Sequence, residues 1–388
     1  MDALSTIIST KDIIMPRPSI ESVGPTWHVP GISFLPRVPP FYTLERTRVT
    51  VNAEDGSPPE VAQQISSLLQ VESLDATFYN DQATAIVRCP NSLAFVIQMY
   101  QADVDHSGGG EDAASGRSSG FIVEVQKKGG DSLRYHKYAR TILRTAASGI
   151  ASENIAETPV RLRQPPRATV LATDDRAKIE RDVVYTLERA TSLFQKDRLD
   201  ANILGMESLV LLSGIQSSGN DRATCTSQYI LGGPGFKILR TILKKCLWPK
   251  WDAAEDFGGE DTDMFEKGQW ESMKERALVV LGNALSLLAE GNVFDMKEWI
   301  ADDGVSLDQV LVEEIKAAEL NPENSYQALR SLNSLISFGN AQAMSYTLME
   351  LNMPAIVSGA QRVGRLRHAL LDEEAARLLA KLENVTPK

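Results

Sequence analysis

Apolar positions recur on two different periods along this chain, and the change between them divides it. From Tyr42 to Gln126 the apolar residues come in short alternating or continuous runs. Tyr42–Val51, Leu74–Tyr79, Ala83–Cys89, Ala94–Tyr100 and Phe121–Gln126 each have the length and the β-branched and aromatic content of a strand. Two helical patterns interrupt them. Ser57-Pro58-Pro59-Glu60 supplies a capping serine, a first-turn proline and a glutamate three residues on, ahead of Val61, Ile65 and Leu68-Leu69. Asp131 opens a second helix that runs to about Ala147. The order β-α-β-β-β-β-α predicts a small α+β layer with its helices on one sheet face.

From Asp174 onward the period is helical. Ile179, Val183, Leu187, Ala190 and Phe194 form one stripe of an amphipathic first helix. The stretch from Trp270 to Glu290 goes further, because between Ala277 and Ala289 only Gly282, Asn283 and Ser286 interrupt an apolar run. A helix apolar on nearly every side needs protein on nearly every side, so neighbours must be stacked before and after it. A shared frame names them: Ser208, Leu212 and Ile215; Ala277, Leu281 and Ala284; Ala328, Leu332 and Leu335; Ala375, Leu379 and Leu382. A small residue followed by larger ones at +4 and +7 lets one helix approach its neighbour closely and interdigitate further along.

Three segments fall outside these patterns. Residues 1–40 hold seven of the 18 prolines, which predicts an irregular tail with Trp27, Phe34 and Phe41 as anchors. Residues 151–173, with Pro159, Pro165 and Pro166, read as a linker between a unit at 41–150 and one at 174–388. Residues 251–268 carry seven acids from Asp252 to Glu266 ahead of a single lysine, Lys267, and read as a solvated acidic insertion.

Charge and composition narrow the function classes. A net charge of −11 and a pI near 5.1 argue against general nucleic-acid binding. Cys89, Cys225 and Cys246 are odd in number and far apart, as in a reduced cytoplasmic protein, with organellar targeting left open. No 18-residue apolar run is present, so no transmembrane segment is expected. The four histidines have no metal-ligand spacing, and Asp103–Gly108 opens like a calcium loop but has Ala114 where the twelfth-position glutamate belongs. Neither a metal nor a cofactor is expected. Nucleophile elbows, Walker loops and dinucleotide glycines are missing too, so the reading is non-catalytic.

Two groups of residues are candidates for binding. Lys127, Lys128, Arg134, Lys137, Arg140 and Arg144 lie within 18 residues of an otherwise acidic chain, a local site for anionic lipid, phosphate or an acidic protein, or else a solvated helix face. The stretch containing them, FIVEVQKKGGDSLRYHKYARTIL from Phe121 to Leu143, resembles the kinase-associated domain. The resemblance implies binding of acidic phospholipid or a regulatory contact with a kinase, although no kinase signature precedes it here.

The helical frame, with ALVVLGNAL from Ala277 and ALRSLNSL from Ala328, resembles armadillo and HEAT repeats. That resemblance implies a solenoid whose inner helices grip a protein partner through a repeated Asn and a neighbouring Trp. Here only Asn283 matches the Asn; Gly214, Ser334 and Lys381 stand at the others, and Val210, Val279, Arg330 and Arg377 replace the Trp. Asn283, Val279, Ser334 and Arg330 are therefore the candidate partner groove, without the ladder that basic import signals would need. The expected function is a scaffold or adaptor binding a protein partner, with peripheral binding of anionic lipid as the alternative and an unrecognised enzyme behind both.

Overall fold

The computed structural model describes residues 26–39, 42–89, 93–102, 120–147, 173–196, 198–232, 236–248, 260–287, 299, 306–337 and 352–385. At 23–24, 173–175, 260–267 and 384–385 the description is of backbone alone. The calcium-like loop, most of the linker and the first half of the acidic insertion lie outside these residues.

The N-terminal unit is a six-stranded antiparallel sheet of β1 (Val23–Gly24), β2 (Arg48–Asn52), β3 (Asp75–Tyr79), β4 (Thr84–Cys89), β5 (Leu93–Gln101) and β6 (Gly120–Gly129). The order across it is β1-β3-β4-β5-β6-β2. Register runs from Asp75 opposite Arg88 to Tyr79 opposite Thr84 between β3 and β4, and a bulge at Ala94/Phe95 interrupts the β5–β6 ladder. Helix α1 (Pro58–Val71) begins at the expected reciprocal cap: the Ser57 amide donates to Glu60 Oε2 at 3.0 Å, which holds the Glu60 carboxyl below the usual range. Helix α2 (Ser132–Ala147) places Tyr135, Ala139, Ile142 and Ala146 inward, where they share one core with Val61, Ile65 and Leu69 of α1 and with Phe95, Ile97, Met99 and Val125 of the sheet. Each fully buried Val, Leu, Ile, Met or Phe side chain of this set contributes roughly 1.5–3 kcal/mol.

Two sequence expectations shift here. The first predicted strand pairs only from Arg48, because the preceding segment serves another purpose. Buried Glu124 on β6 accepts from the Tyr42 hydroxyl at 3.1 Å and from the Glu45 amide, so residues 42–45 close over a carboxylate instead of extending the ladder. The proline-rich segment also enters the fold. Val23–Gly24 pairs with β3, and Trp27, Val29 and Leu35 are buried in the sheet unit's core, Trp27 stacked 6.1 Å from Phe78. Phe34, the other described anchor candidate, is 67% exposed.

Residues 173–385 are helical wherever an element is described: α3 (Thr173–Phe194), α4 (Leu199–Ser213), α5 (Ile215–Ser218), α6 (Asn220–Leu231), α7 (Lys237–Leu247), α8 (Glu260–Ser286), α9 (Leu307–Lys316), α10 (Pro322–Leu335), α11 (Met353–Arg367) and α12 (Ala369–Val385). Helix α8 starts inside the acidic stretch, whose second half is thus helical. Helices α4, α8, α10 and α12 pack against one another in chain order, and α3, α6, α7, α9 and α11 flank them. These four carry the repeated frame. Ala277, Leu281, Ala284, Ala328, Leu332, Leu335 and Ala375 are buried, as close stacking requires. The copy on α4 departs from it: Ser208 and Leu212 are half-buried, and Ile215 is 44% exposed because α4 ends at Ser213 before reaching it.

The apolar run on α8 is covered on nearly all sides by α4, α6, α7 and α10. Sheet unit and helical array keep separate apolar cores, and polar contacts bridge them.

Candidate functional site

The polar join forms where the turn from α1 to β3 meets the turn from α11 to α12. Asp75 Oδ1 lies 2.6 Å from Arg367 Nη2, with both side chains largely shielded, and Arg367 Nη1 donates to the Glu319 carbonyl at 2.9 Å. The Leu370 amide donates to Ser73 Oγ at 2.9 Å; Ser73 is buried in a left-handed conformation, φ 53°. Beside this clasp, His368 Nδ1 accepts from the Leu371 amide at 3.1 Å, so a neutral ring carries its proton on Nε2, which faces Glu323 Oε2 at 3.0 Å. Gln327 Nε2 donates to the other oxygen of Glu323 at 2.8 Å.

Glu275 on α8 keeps some accessible surface but is so crowded that its carboxyl is pushed up to about 7. Burial is the main cause, like-charged Glu323 and Asp75 add to it, and Arg276 opposes it. Sequence reading missed this cluster. Its clasp joins turns 297 residues apart, and no local period or motif links Ser73 to Leu370.

On another side of the same junction the two units leave a cleft of about 770 Å³. Gly130, Asp131 and Arg134 at the start of α2 form one wall. The array supplies the rest, including Glu207 and Leu211 of α4, Gln216 of α5, Asn283 of α8, and Tyr326 and Arg330 of α10. Asn283 binds across three helices: its Nδ2 donates to Ser213 Oγ at 3.3 Å, and its Oδ1 accepts from Arg330 Nη1 at 2.8 Å. The second Arg330 nitrogen, Nη2, donates to Ser286 Oγ at 2.9 Å. Thus the side chain at a Trp position of the repeat frame engages the Asn position of the helix before it.

The cleft joins the two sets of candidate residues through Arg134, Asn283 and Arg330. Val279 and Ser334, also expected in the groove, do not line it: Val279 lies one turn before Asn283, and the Ser334 hydroxyl donates back to the Arg330 carbonyl at 3.0 Å. Lys127, Lys128, Lys137, Arg140 and Arg144 lie outside it on the exposed side of the sheet unit. Lys127 Nζ donates to Ser132 Oγ at 2.7 Å and Lys128 Nζ to Gln126 Oε1 at 3.2 Å, while Lys137 lies 5.9 Å from the Tyr138 ring centroid. None of the six basic side chains makes an ion pair among the described residues.

The three cysteines are unpaired. Burial pushes the thiols of Cys89 and Cys246 up to about 12, and that of Cys225 upward as well, which suppresses the reactive thiolate. Among the described residues no group of histidine, cysteine and acidic side chains has the geometry of a metal site, and no helix is long and apolar enough to cross a membrane. No protein-family model matches the chain, and no curated protein matches it.

Proposed function

We propose that this chain is a non-catalytic adaptor that holds a protein partner in the cleft between its sheet unit and its helical array. The observation that carries this reading is the meeting of Arg134, Asn283 and Arg330 around one cleft, with Leu211 (57% exposed) and Ile215 (44% exposed) also lining it. Exposed apolar side chains beside arginines are the composition of a protein-binding surface. An armadillo-like reading of the array draws support from the chain-order stacking of α4, α8, α10 and α12. A kinase-associated-domain-like reading of the sheet unit draws support from the strand, turn and amphipathic helix over Phe121–Leu143. On this reading the sheet unit is the second contact: it clasps the end of the array and contributes one wall of the site.

Affinity purification of the full chain beside a Leu211→Asp/Arg330→Glu variant tests the proposal. A protein recovered near stoichiometry with the wild type should fall at least tenfold with the variant, while the variant's circular dichroism spectrum stays unchanged. Recovery of the same proteins in equal amount, or of none with either form, would remove the adaptor reading.

A further inference from the structure

We propose that the ligand chemistry of this cleft is anionic: it takes an acidic peptide segment whose carboxylates are received by Arg134 and Arg330, with apolar residues set against Leu211 and Ile215. The inference deepens the adaptor reading and rests on it for the location of the site. Four charged side chains line the cleft, and their commitments differ. Glu207 is paired with Arg276, a largely buried guanidinium, at 2.9 Å. Asp131 caps α2 through its Oδ1, which accepts from the Leu133 amide at 2.7 Å and the Arg134 amide at 3.4 Å. The two lining arginines have no carboxylate partner among the described residues. Arg330 spends Nη1 and Nη2 on the neutral acceptors Asn283 and Ser286, which orient the guanidinium without neutralising it. Arg134 is exposed at the opposite wall.

An arginine held in place by neutral groups, with no carboxylate partner among the described residues, is suited to a carboxylate, because a planar guanidinium donates charge-assisted hydrogen bonds in a fixed geometry. Shape then decides the source. The cleft is walled by both units, and its volume of about 770 Å³ falls within the range of concave ligand sites, about 300–1,000 Å³. A bilayer surface cannot enter such a space, whereas an extended chain can. The exposed apolar side chains of Leu211 and Ile215 add a requirement that a free inorganic anion does not meet. The basic face at Lys137, Arg140 and Arg144 lies outside the cleft and is where a membrane would bind.

The test is fluorescence anisotropy with the full chain and a fluorescein-labelled peptide of three Glu-Glu-Leu repeats. Its counterpart with glutamine for glutamate should bind at least tenfold more weakly. Arg134→Ala and Arg330→Ala should each weaken the acidic peptide about tenfold or more, as loss of a charge-assisted hydrogen bond does. Arg144→Glu should change it less than twofold, and phosphatidylserine vesicles should not displace it. Arg134 is exposed, so its variant keeps the test valid even where Arg330→Ala is unstable.

Several outcomes would overturn the inference: equal affinity for the glutamine peptide, no binding at millimolar peptide, or wild-type binding by Arg134→Ala. So would loss with Arg144→Glu together with displacement by vesicles, which would assign the anion chemistry to the exposed face and a membrane. Failure here alongside cleft-dependent co-purification leaves the adaptor reading standing and removes only the acidic class. Peptide binding without a cleft-dependent protein partner does the reverse.

Discussion

Replacing Gly364 with alanine is expected to destabilise the chain by about 1–2 kcal/mol net, the upper part of the roughly 1–3 kcal/mol that overpacking costs against atoms that cannot step aside, less the helix-propensity gain of alanine. A Cβ at Gly364 on α11 would stand 2.4 Å from the backbone nitrogen of Asp372 and 2.9 Å from its Cα, both on α12. Alanine is a better helix former than glycine by about 1 kcal/mol, so the clash must outweigh that gain for the sign to hold. Backbone against backbone leaves no rotamer that relieves it, and the clash wins. The consequence reaches beyond α11, because the junction it would pry apart contains Arg367, His368 and Leu370, the array's side of the clasp to Ser73 and Asp75. The same substitution at Gly359, on the same helix but with nothing within 4 Å of its added Cβ, should instead stabilise by about 0.5–1 kcal/mol. Urea denaturation of both variants decides the matter: similar effects at the two positions would show that close approach at Gly364 is not what holds this junction.

Glu275→Gln is expected to stabilise the chain at pH 8 and to flatten its dependence on pH. The Glu275 carboxyl is pushed up to about 7 from an ordinary 4.5 by burial and by Glu323 and Asp75, against the opposing effect of Arg276. Below pH 4.5 both the folded and the unfolded chain hold the proton, and the residue contributes no difference. Between 4.5 and 7 the unfolded chain releases it while the folded chain retains it, so stability falls with rising pH, by about 1.4 kcal/mol per pH unit. Above 7 the carboxyl is ionised in both states and a penalty on the order of 3 kcal/mol persists. Glutamine keeps the shape and removes the ionisation. The difference in unfolding free energy between variant and wild type should therefore rise from pH 4.5 to 7 and then level; a difference independent of pH would show that Glu275 is not strained by its surroundings.

Much of this fold was legible in the sequence wherever local chemistry is decisive. Ser57, Pro58 and Glu60 announce the start of α1 because cap, ring and carboxylate act within four residues. The five main strands and α2 follow from side-chain periods that one buried face imposes. The apolar circumference of α8 required neighbours, and α4, α6, α7 and α10 provide them. What escaped depends on which distant residues meet. Nothing near Trp27 says that a proline-rich segment will bury it against Phe78, since proline forbids regular structure without forbidding burial. The frame on α4 has the spacing of the other three, but spacing does not encode that the helix stops at Ser213.

The candidate site was half legible. Asn283 and Arg330 were marked by their places in the repeat frame, and Arg134 by its basic neighbours. That the three share a cleft is a property of how the sheet unit folds back on the array, which no period encodes. The clasp of Asp75, Ser73, Arg367 and Leu370 leaves no trace in the sequence for the same reason.

The central claim is that the cleft is where a protein partner sits. Site-specific photocrosslinking in cells tests it most directly, with a benzophenone side chain placed at Gln216 in the cleft or at exposed Ser358 on the flanking helix α11. A discrete protein adduct from position 216 that disappears with Arg330→Glu, and no such adduct from position 358, is the predicted result. Adducts from 358 but not from 216, or a 216 adduct indifferent to Arg330, would contradict it.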